Sequence, residues 1–420
     1  MSGKSEHIVI VGAGAAGLMA ARELARGGKR VTILEARDRC GGRIQPLPKS
    51  QFGYAADGGA EFVHGEAPVT RGLLREAGLS LQAIAGVQWS FDGTKLSREQ
   101  RDDPHEAELH AALRDLKDDL TVAEFLRRYF SGDEYARMRH SIERMVEGYD
   151  AAEPERASTL ALREEWMDGG HHTQGRIVGG YGGLIEILVA ECRAHGVVIR
   201  LGCVVSEIEE SGGTVTVRCD GGEALSCDSV ILTVPLPLLR EIALPKGARE
   251  KAALASDIGF GNVVKILLRF VRPWWRDRTE DLTFLLSDET IPVWWTQRPS
   301  DDPVLTGWFG GPRTAELAGL DPQALVDAGI DSLAAVFGLP RNDLARDVVA
   351  AVATNWAHDP FARGAYSWAT PQTRAAQTIL ARADGPVLFS GEALYRGRDM
   401  GTVEAALASG LETAGLILRG

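Results

Sequence analysis

The sequence predicts an α/β chain of two interleaved domains, a Rossmann-like parallel sheet and an α+β partner. Three observations predict it. Residues 8–44 read as strand, glycine turn, helix and strand; a second buried-strand pattern at Val387–Phe389 ends in Gly391-Glu392 and leads to a helix; and 420 residues exceed what one compact core holds.

Ile8–Val11 is an apolar run of strand composition that ends in Gly12-Ala13-Gly14-Ala15-Ala16-Gly17, after which Leu18, Ala21, Leu24 and Ala25 recur at helical spacing. Glycine permits the turn at Gly12, a close backbone approach to pyrophosphate at Gly14, and tight helix–strand packing at Gly17. The free N–H groups and positive dipole end of the helix starting near Ala15 and Ala16 suit a phosphate. The strand Arg30–Leu34 ends at Glu35, about twenty residues beyond the motif, where an acid accepts hydrogen bonds from ribose hydroxyls and repels a 2′-phosphate. Residues 8–35 therefore imply an adenine dinucleotide other than NADP.

Composition bounds the rest. A hydrophobic fraction of 45% with 25% charged residues is that of a globular chain, and the net charge of −12 opposes non-specific nucleic-acid binding while favouring a cationic small molecule. The five cysteines, Cys40, Cys192, Cys203, Cys219 and Cys227, include no C-x-x-C pair and read as reduced thiols. The N-terminal apolar stretch lacks a basic leader and no run reaches about eighteen apolar residues, so the expectation is a cytoplasmic protein without a membrane segment.

Further elements follow in order. Thr70–Ala77 reads as a helix; Pro104–Tyr129 is amphipathic, with Leu109, Leu113, Leu116, Leu120 and Phe125 near helical spacing; helices continue through Asp133–Val146 and Ser158–Trp166. Strand patterning returns at Val197–Leu201, Val204–Glu209, Thr214–Cys219 and Ser229–Thr233. In Val263–Phe270, alternation puts Lys265 on one face with Val263 and Leu267, where an unpaired ammonium is costly. Trp356 to Trp368 is rich in aromatic residues, which on pattern alone suit a core as well as a site. The adjacent His171 and His172 beside Asp168 lack metal-ligand spacing, and no metal is implied.

Beside the dinucleotide motif, Glu35-Ala36-Arg37-Asp38-Arg39-Cys40-Gly41-Gly42-Arg43 and Asp57-Gly58-Gly59-Ala60-Glu61 resemble segments of the flavin-dependent amine oxidases, of the monoamine and polyamine oxidase type. Phe389-Ser390-Gly391-Glu392 and Gly401-Thr402-Val403 through Gly410 resemble the family's C-terminal signature. The resemblance implies an FAD/NAD(P)-binding fold of the glutathione reductase type, with the FAD-binding domain from residues 1–69, 175–245 and 376–420. Residues 70–174 and 246–375 would form the substrate-binding domain. It implies Ala36, Arg37, Gly42 and Arg43 at the FAD diphosphate, Gly59, Ala60, Glu61, Phe62 and Trp356 near the flavin ring, and Val205 at the adenine. Glu392 would reach the ribityl chain, and Gly391, Gly401, Thr402 and Val403 would contact the flavin. Ala365 stands where some monoamine oxidases have a flavin-linked cysteine, so the FAD is expected to be non-covalent.

The same resemblance assigns Lys265, followed by Pro273-Trp274-Trp275, to hold a water against flavin N5, and Tyr366 to wall the substrate site. Thr402 falls where monoamine oxidases place a second cage tyrosine, a combination similar to polyamine oxidases and lysine-specific histone demethylases. Gly59–Gly65 is similar to a polyamine oxidase pattern with Phe62 in place of tryptophan, which makes His64 a ligand for a substrate nitrogen and Glu66 a partner for a distal ammonium. Trp368 joins the substrate wall.

The expected reaction removes a hydride equivalent from the carbon beside a neutral amine, gives an imine that water hydrolyses, and passes electrons to dioxygen with release of hydrogen peroxide. An L-amino-acid oxidase, another flavin dehydrogenase or desaturase of this fold, a chromatin-directed demethylase and a non-catalytic flavoprotein remain as alternatives, and oligomeric state is open.

Overall fold

The computed structural model describes residues 5–84, 86–98, 103–167 and 174–419. Its first sheet has five parallel strands in the order Val198–Arg200, Arg30–Leu34, His7–Val11, Ser229–Leu232 and Val387–Phe389. His7–Val11 is central and buried throughout, which is why it reads as a continuous apolar run rather than an alternating one. The side chains of Ile8 and Ile10 enter a core shared with Leu18 and Leu24 of helix Ala15–Arg26, Leu188 of Gly182–Ala194 and Leu407 of Val403–Arg419. Val9 and Val11 point the other way, into a core with Val215 and Val217 of an antiparallel meander.

That meander consists of Val205–Ser211, Thr214–Cys219 and Ala224–Cys227. The expected strand near Val197–Leu201 is the outer strand of the parallel sheet, registered Val198 to Thr32, and Ala224–Cys227 supplies the third meander strand. A correction concerns the thiols. Cys203 and Cys219 form a disulfide across 16 residues, and the cysteines that remain free are Cys40, Cys192 and Cys227. Pairing of Val205 with Cys219 brings the two cysteines to a Cα separation of 5.8 Å, a tertiary consequence that their spacing in the sequence does not announce.

The second large sheet has seven strands, in the order Val348–Asn355, Val263–Phe270, Val304–Gly310, Val293–Thr296, Leu282–Ser287, Val87–Phe91 and Leu96–Ser97. Val264, Ile266 and Leu268 face one way and pack with Leu305 and Phe309 against Leu325, Ile330 and Leu333 of helix Pro322–Phe337. That helix starts where the Asp321 carboxylate accepts from Ala324 N at 2.8 Å and ends at Gly338 in a left-handed conformation, φ +57°. The opposite sheet face, with Lys265, Trp295 and Trp308, looks toward the parallel sheet.

Helices Glu106–Asp115, Val122–Tyr129, Ala136–Gly148 and Thr159–Met167 share one apolar core. The amphipathic region expected from Pro104 to Tyr129 is two helices because Leu116 is extended and Thr121 caps the second, accepting from Glu124 N at 3.2 Å. Among the described residues no helix is long and apolar enough to cross a membrane. Asp168, His171 and His172 lie outside the described residues.

Candidate active site

A cavity of about 1440 Å³ runs between the two sheets, from Glu35 and Val205 at one end to Tyr149 and Phe284 at the other. This is larger than the ~300–1,000 Å³ typical of a single small-molecule site, so a dinucleotide and a second molecule can share it.

At the first end, Glu35 is buried; its Oε2 accepts from Ala13 N at 2.7 Å and its Oε1 from Arg37 N at 2.9 Å. Each oxygen keeps a lone pair for a ribose hydroxyl. Gly17 is explained by the protein alone, since a Cβ there would stand 2.0 Å from Gly12 O. Gly14 is not: a Cβ there meets nothing within 4 Å, and the residue lines the cavity. Gly391 is also open, although its φ of +144° by itself calls for glycine, so Gly14 is the one of the two whose glycine leaves room for something outside the chain. Gly12, Ala15, Ala16, Ala36, Gly42 and Val205 line the same end.

The two arginines expected at a diphosphate line the cavity while tethered from behind. Arg37 makes a bidentate pair with Asp359, at 2.9 and 2.6 Å, and lies 5.4 Å from the Phe361 ring centre. Arg43 donates from Nη1 to Ala365 O and Glu392 Oε1, each at 2.8 Å, and Ser367 Oγ bonds the other oxygen of Glu392. The fork on Arg37 fixes its guanidinium's plane, and both arginines keep other N–H groups for an anion. Gly401, Thr402 and Val403 line the cavity at the start of the C-terminal helix. The Thr402 hydroxyl accepts from Ala405 N at 3.2 Å and donates to Asp399 O at 2.6 Å, so it caps that helix.

At the other end stands a row of rings. Tyr366 and Trp308 are near parallel with centroids 6.2 Å apart; Trp308 and Trp295 lie at 5.7 Å, and Trp295 and Phe62 at 5.3 Å. Tyr366 OH donates to Tyr149 O at 2.5 Å and Trp308 Nε1 to Gly148 O at 2.9 Å, which anchors both rings to the end of helix Ala136–Gly148. His64 lines the cavity, its Nδ1 3.3 Å from Tyr149 OH. Trp356 is buried in the lining, whereas Trp368, also in the lining, packs chiefly into the helical core with Arg156 over its ring.

One expectation is corrected here. Glu66 is exposed and lies outside the cavity lining, because Gly65, at φ +61°, turns the chain away and Pro68 opens a helix. Lys265 is only 1% exposed, and its Nζ donates to Asp57 O at 2.7 Å, Gly59 O at 2.9 Å and Glu61 Oε2 at 2.8 Å. Each of the three N–H groups of its ammonium meets a protein acceptor, and Lys265 also lines the cavity.

Glu61 is itself saturated: its Oε1 accepts from Trp295 Nε1 at 3.0 Å and from Arg176 at 2.9 and 3.1 Å. Burial pushes its carboxyl up, but Lys265 and then Arg176 overrule this and hold it well below the usual carboxylate range. Neighbouring Asp57 goes the other way, raised to about 7 because burial outweighs the attraction of Lys265. Glu61 was expected at the flavin and Trp308, Trp295 and Arg176 were not singled out at all. The available signal for Trp308 was its place in the alternating strand Val304–Gly310, directly opposite Lys265.

Residues 15–418 match the family model described as flavin containing amine oxidoreductase. The chain belongs to that family. Among its relatives, human lysine-specific histone demethylase 2 is 27% identical over 455 residues, covering 98% of this chain and 53% of the relative. Polyamine oxidase 2 of Arabidopsis thaliana is 29% identical over 308 residues, 66% of this chain and 61% of the relative. The chain spans about 30% to 57% of the length of the first histone demethylases it matches. A solved putrescine oxidase with bound putrescine superposes with TM-score 0.81 at 20% identity, covering 99% of this chain and 100% of that one. Cyclohexylamine oxidase from Brevibacterium oxydans IH-35A does so with TM-score 0.81 at 21% identity, over 99% of each. These likenesses establish the two-domain fold, and the cofactor of this amine oxidoreductase is FAD. The open cradle at Gly14 and Gly391, the acceptor Glu35 and the tethered arginines fit that group.

Proposed function

We propose that the protein is an FAD-dependent amine oxidase acting on a small cationic amine, a polyamine in preference to a monoamine, with dioxygen as acceptor and hydrogen peroxide as product. One observation carries the reading: a dinucleotide cradle opens, within a single cavity, onto the ring row of Tyr366, Trp308, Trp295 and Phe62. Bound FAD supplies a two-electron acceptor. The chain's part is to bind, orient and keep dry. Ring faces attract an ammonium, and their apolar surroundings favour the neutral form of the nitrogen that reacts, since an unpaired buried charge is costly. The backbone bonds of Tyr366 and Trp308 hold both rings in place before substrate arrives. His64 stands within the cavity as a partner for a substrate nitrogen.

Non-covalent FAD is part of the proposal. Ala365 lines the cavity where a linking thiol would stand, and the lining cysteine, Cys203, is engaged in the disulfide. The polyamine preference draws support from the relative named polyamine oxidase 2. A second reading, an N-methylated lysine in a peptide, draws support from histone demethylases that align with 97% to 98% of this chain.

The test is anaerobic mixing of the yellow holoprotein with spermine, spermidine, putrescine, aromatic monoamines, amino acids and a dimethyl-lysine peptide, following the visible flavin band. Bleaching fastest with a polyamine is the expected outcome. Bleaching by amino acids alone, or by the peptide alone, rejects the polyamine reading, and no bleaching by any of them rejects the oxidase reading.

A further inference from the structure

Of Arg37, Arg39 and Arg43, which follow Glu35 in the chain, two line the cavity. Arg39 spends its guanidinium on the carbonyls of Cys40, Gly42 and Ile44 and lies outside the lining. Arg37 and Arg43 are in the lining, and both are held by the loop 356–365 that follows strand Val348–Asn355 of the seven-stranded sheet, through the Asp359 carboxylate and Ala365 O. That loop is braced independently of either arginine. Trp356 O accepts from Asp359 N at 3.3 Å and Gly364 N at 3.0 Å, Asp359 O accepts from Arg363 N at 3.0 Å, and Ala365 N donates to Gly261 O at 2.7 Å. Asp359 Oδ1 also accepts from Phe361 N at 2.9 Å, so the carboxylate is oriented by its own turn.

We propose that Asp359 is a positioning residue for the cofactor: it holds the Arg37 guanidinium against the diphosphate of FAD. The diphosphate is the anionic part of FAD, and a carboxylate near it is repulsive unless a cation stands between them. Arg37 is that cation. Asp359 takes two of its five guanidinium N–H groups, at 2.9 and 2.6 Å, which fixes the plane and leaves the rest for phosphate oxygens. Glu35 does not compete, since its oxygens accept from the backbone at Ala13 and Arg37. The pair is one to one. Arg363, a cation of the same loop, pairs with Glu241 at 3.5 Å, and among the described residues Asp359 has no ionic partner besides Arg37. The sign of the carboxylate's effect therefore depends on Arg37. With Arg37 present it preorganises a phosphate ligand; with Arg37 removed it is an uncompensated negative charge beside the diphosphate. A residue that merely braced the loop would act in the same direction in both backgrounds.

The test is fluorescence titration of cofactor-free protein with FAD, for wild type, Asp359→Asn, Arg37→Met and the double variant. No amine is present, so the outcome is independent of the reaction proposed above. Asparagine keeps an oxygen for Phe361 N while removing the charge and one arm of the fork. Expected is FAD binding at least three-fold weaker than wild type in each single variant, and at least as tight in the double variant as in Arg37→Met. ADP, a diphosphate without a flavin, should likewise bind at least three-fold more weakly to Asp359→Asn. The inference is overturned if either single variant binds FAD within three-fold of wild type, if ADP binding to Asp359→Asn falls by less than three-fold, or if the double variant binds FAD more weakly than Arg37→Met. If Asp359→Asn does not fold, the double variant against Arg37→Met decides alone. A double variant that fails to fold where Arg37→Met succeeds, or an Arg37→Met that itself fails to fold, assigns the pair to the fold and refutes the inference.

Discussion

Replacing Gly14 by Ala separates what the fold needs from what the cofactor needs. At this position φ is −76° and ψ −176°, a conformation alanine adopts without strain, and its methyl group would meet no protein atom within 4 Å. Alanine lowers the entropy of the unfolded chain, so the variant without FAD should be unchanged or more stable, by up to about 1 kcal/mol. With FAD the sign reverses. The methyl group enters the space lined by Gly14, and overfilling a closely packed contact costs about 1–3 kcal/mol. That converts to FAD binding weakened by roughly 5- to 150-fold. Flavin fluorescence titration gives the affinity, and thermal unfolding with and without saturating FAD gives the two stabilities. Wild-type FAD affinity in Gly14→Ala, or a cofactor-free protein destabilised by more than ~1 kcal/mol, would refute the reasoning. Gly17→Ala is the control with the opposite pattern: its Cβ collides with Gly12 O at 2.0 Å, so it should destabilise the protein whether or not FAD is present.

Further outcomes are expected elsewhere. Trp308→Leu removes one ring face and an indole N–H, and should weaken polyamine binding by about tenfold, in line with a cation–π contact of about 1–2 kcal/mol, without loss of FAD; equal affinity for polyamines in both proteins would exclude Trp308 from the site. Asp57 is raised to about 7 by burial, so its contribution is stabilising below its unfolded value of 3.8 and is lost as pH rises through about 7. Asp57→Asn should therefore gain on wild type in unfolding temperature between pH 6 and pH 8, and parallel curves would contradict the shift. Thiol titration of the unfolded, unreduced protein should count the three free cysteines, whereas a count of all five would remove the disulfide. With Cys203→Ser/Cys219→Ser, loss of a cross-link over 16 residues should lower stability by about 2–4 kcal/mol in denaturant titration.

Local patterns carried far in this sequence. The unit from His7 to Glu35 was legible because each part of it, strand, turn, helix and acid, is specified by neighbours within a few residues. The alternation around Lys265 gave its face correctly, but not its partner, which lies 204 residues away in the chain and is supplied by tertiary packing. Glu66 misled because its place depends on the sign of one backbone angle at Gly65, whereas Thr402 lines the cavity while its hydroxyl caps the helix that follows. Trp308 went unnoticed in a strand that also supplies Leu305 and Phe309 to the opposite face, where apolar composition alone does not separate a cavity wall from a core. The disulfide was missed for a related reason, since an odd number of cysteines without paired spacing says nothing about which two a meander brings together.

The order of strands in the parallel sheet also governs how the protein is made. Ser229–Leu232 has His7–Val11 on one side, yet its other neighbour, Val387–Phe389, is synthesised more than 150 residues later, together with the helix that packs on Ala15–Arg26. While the intervening chain leaves the ribosome at roughly 5–20 residues per second, that strand edge stays unpaired for some ten seconds or longer. An unpaired edge of β-branched residues is a template for wrong partners. FAD, whose cradle includes Gly391 and Glu392, can be gripped only by the finished polypeptide. Production of the protein is thus expected to depend on chaperone capacity and cooling more than on flavin supply during translation, and added FAD should rescue yield only after release from the ribosome.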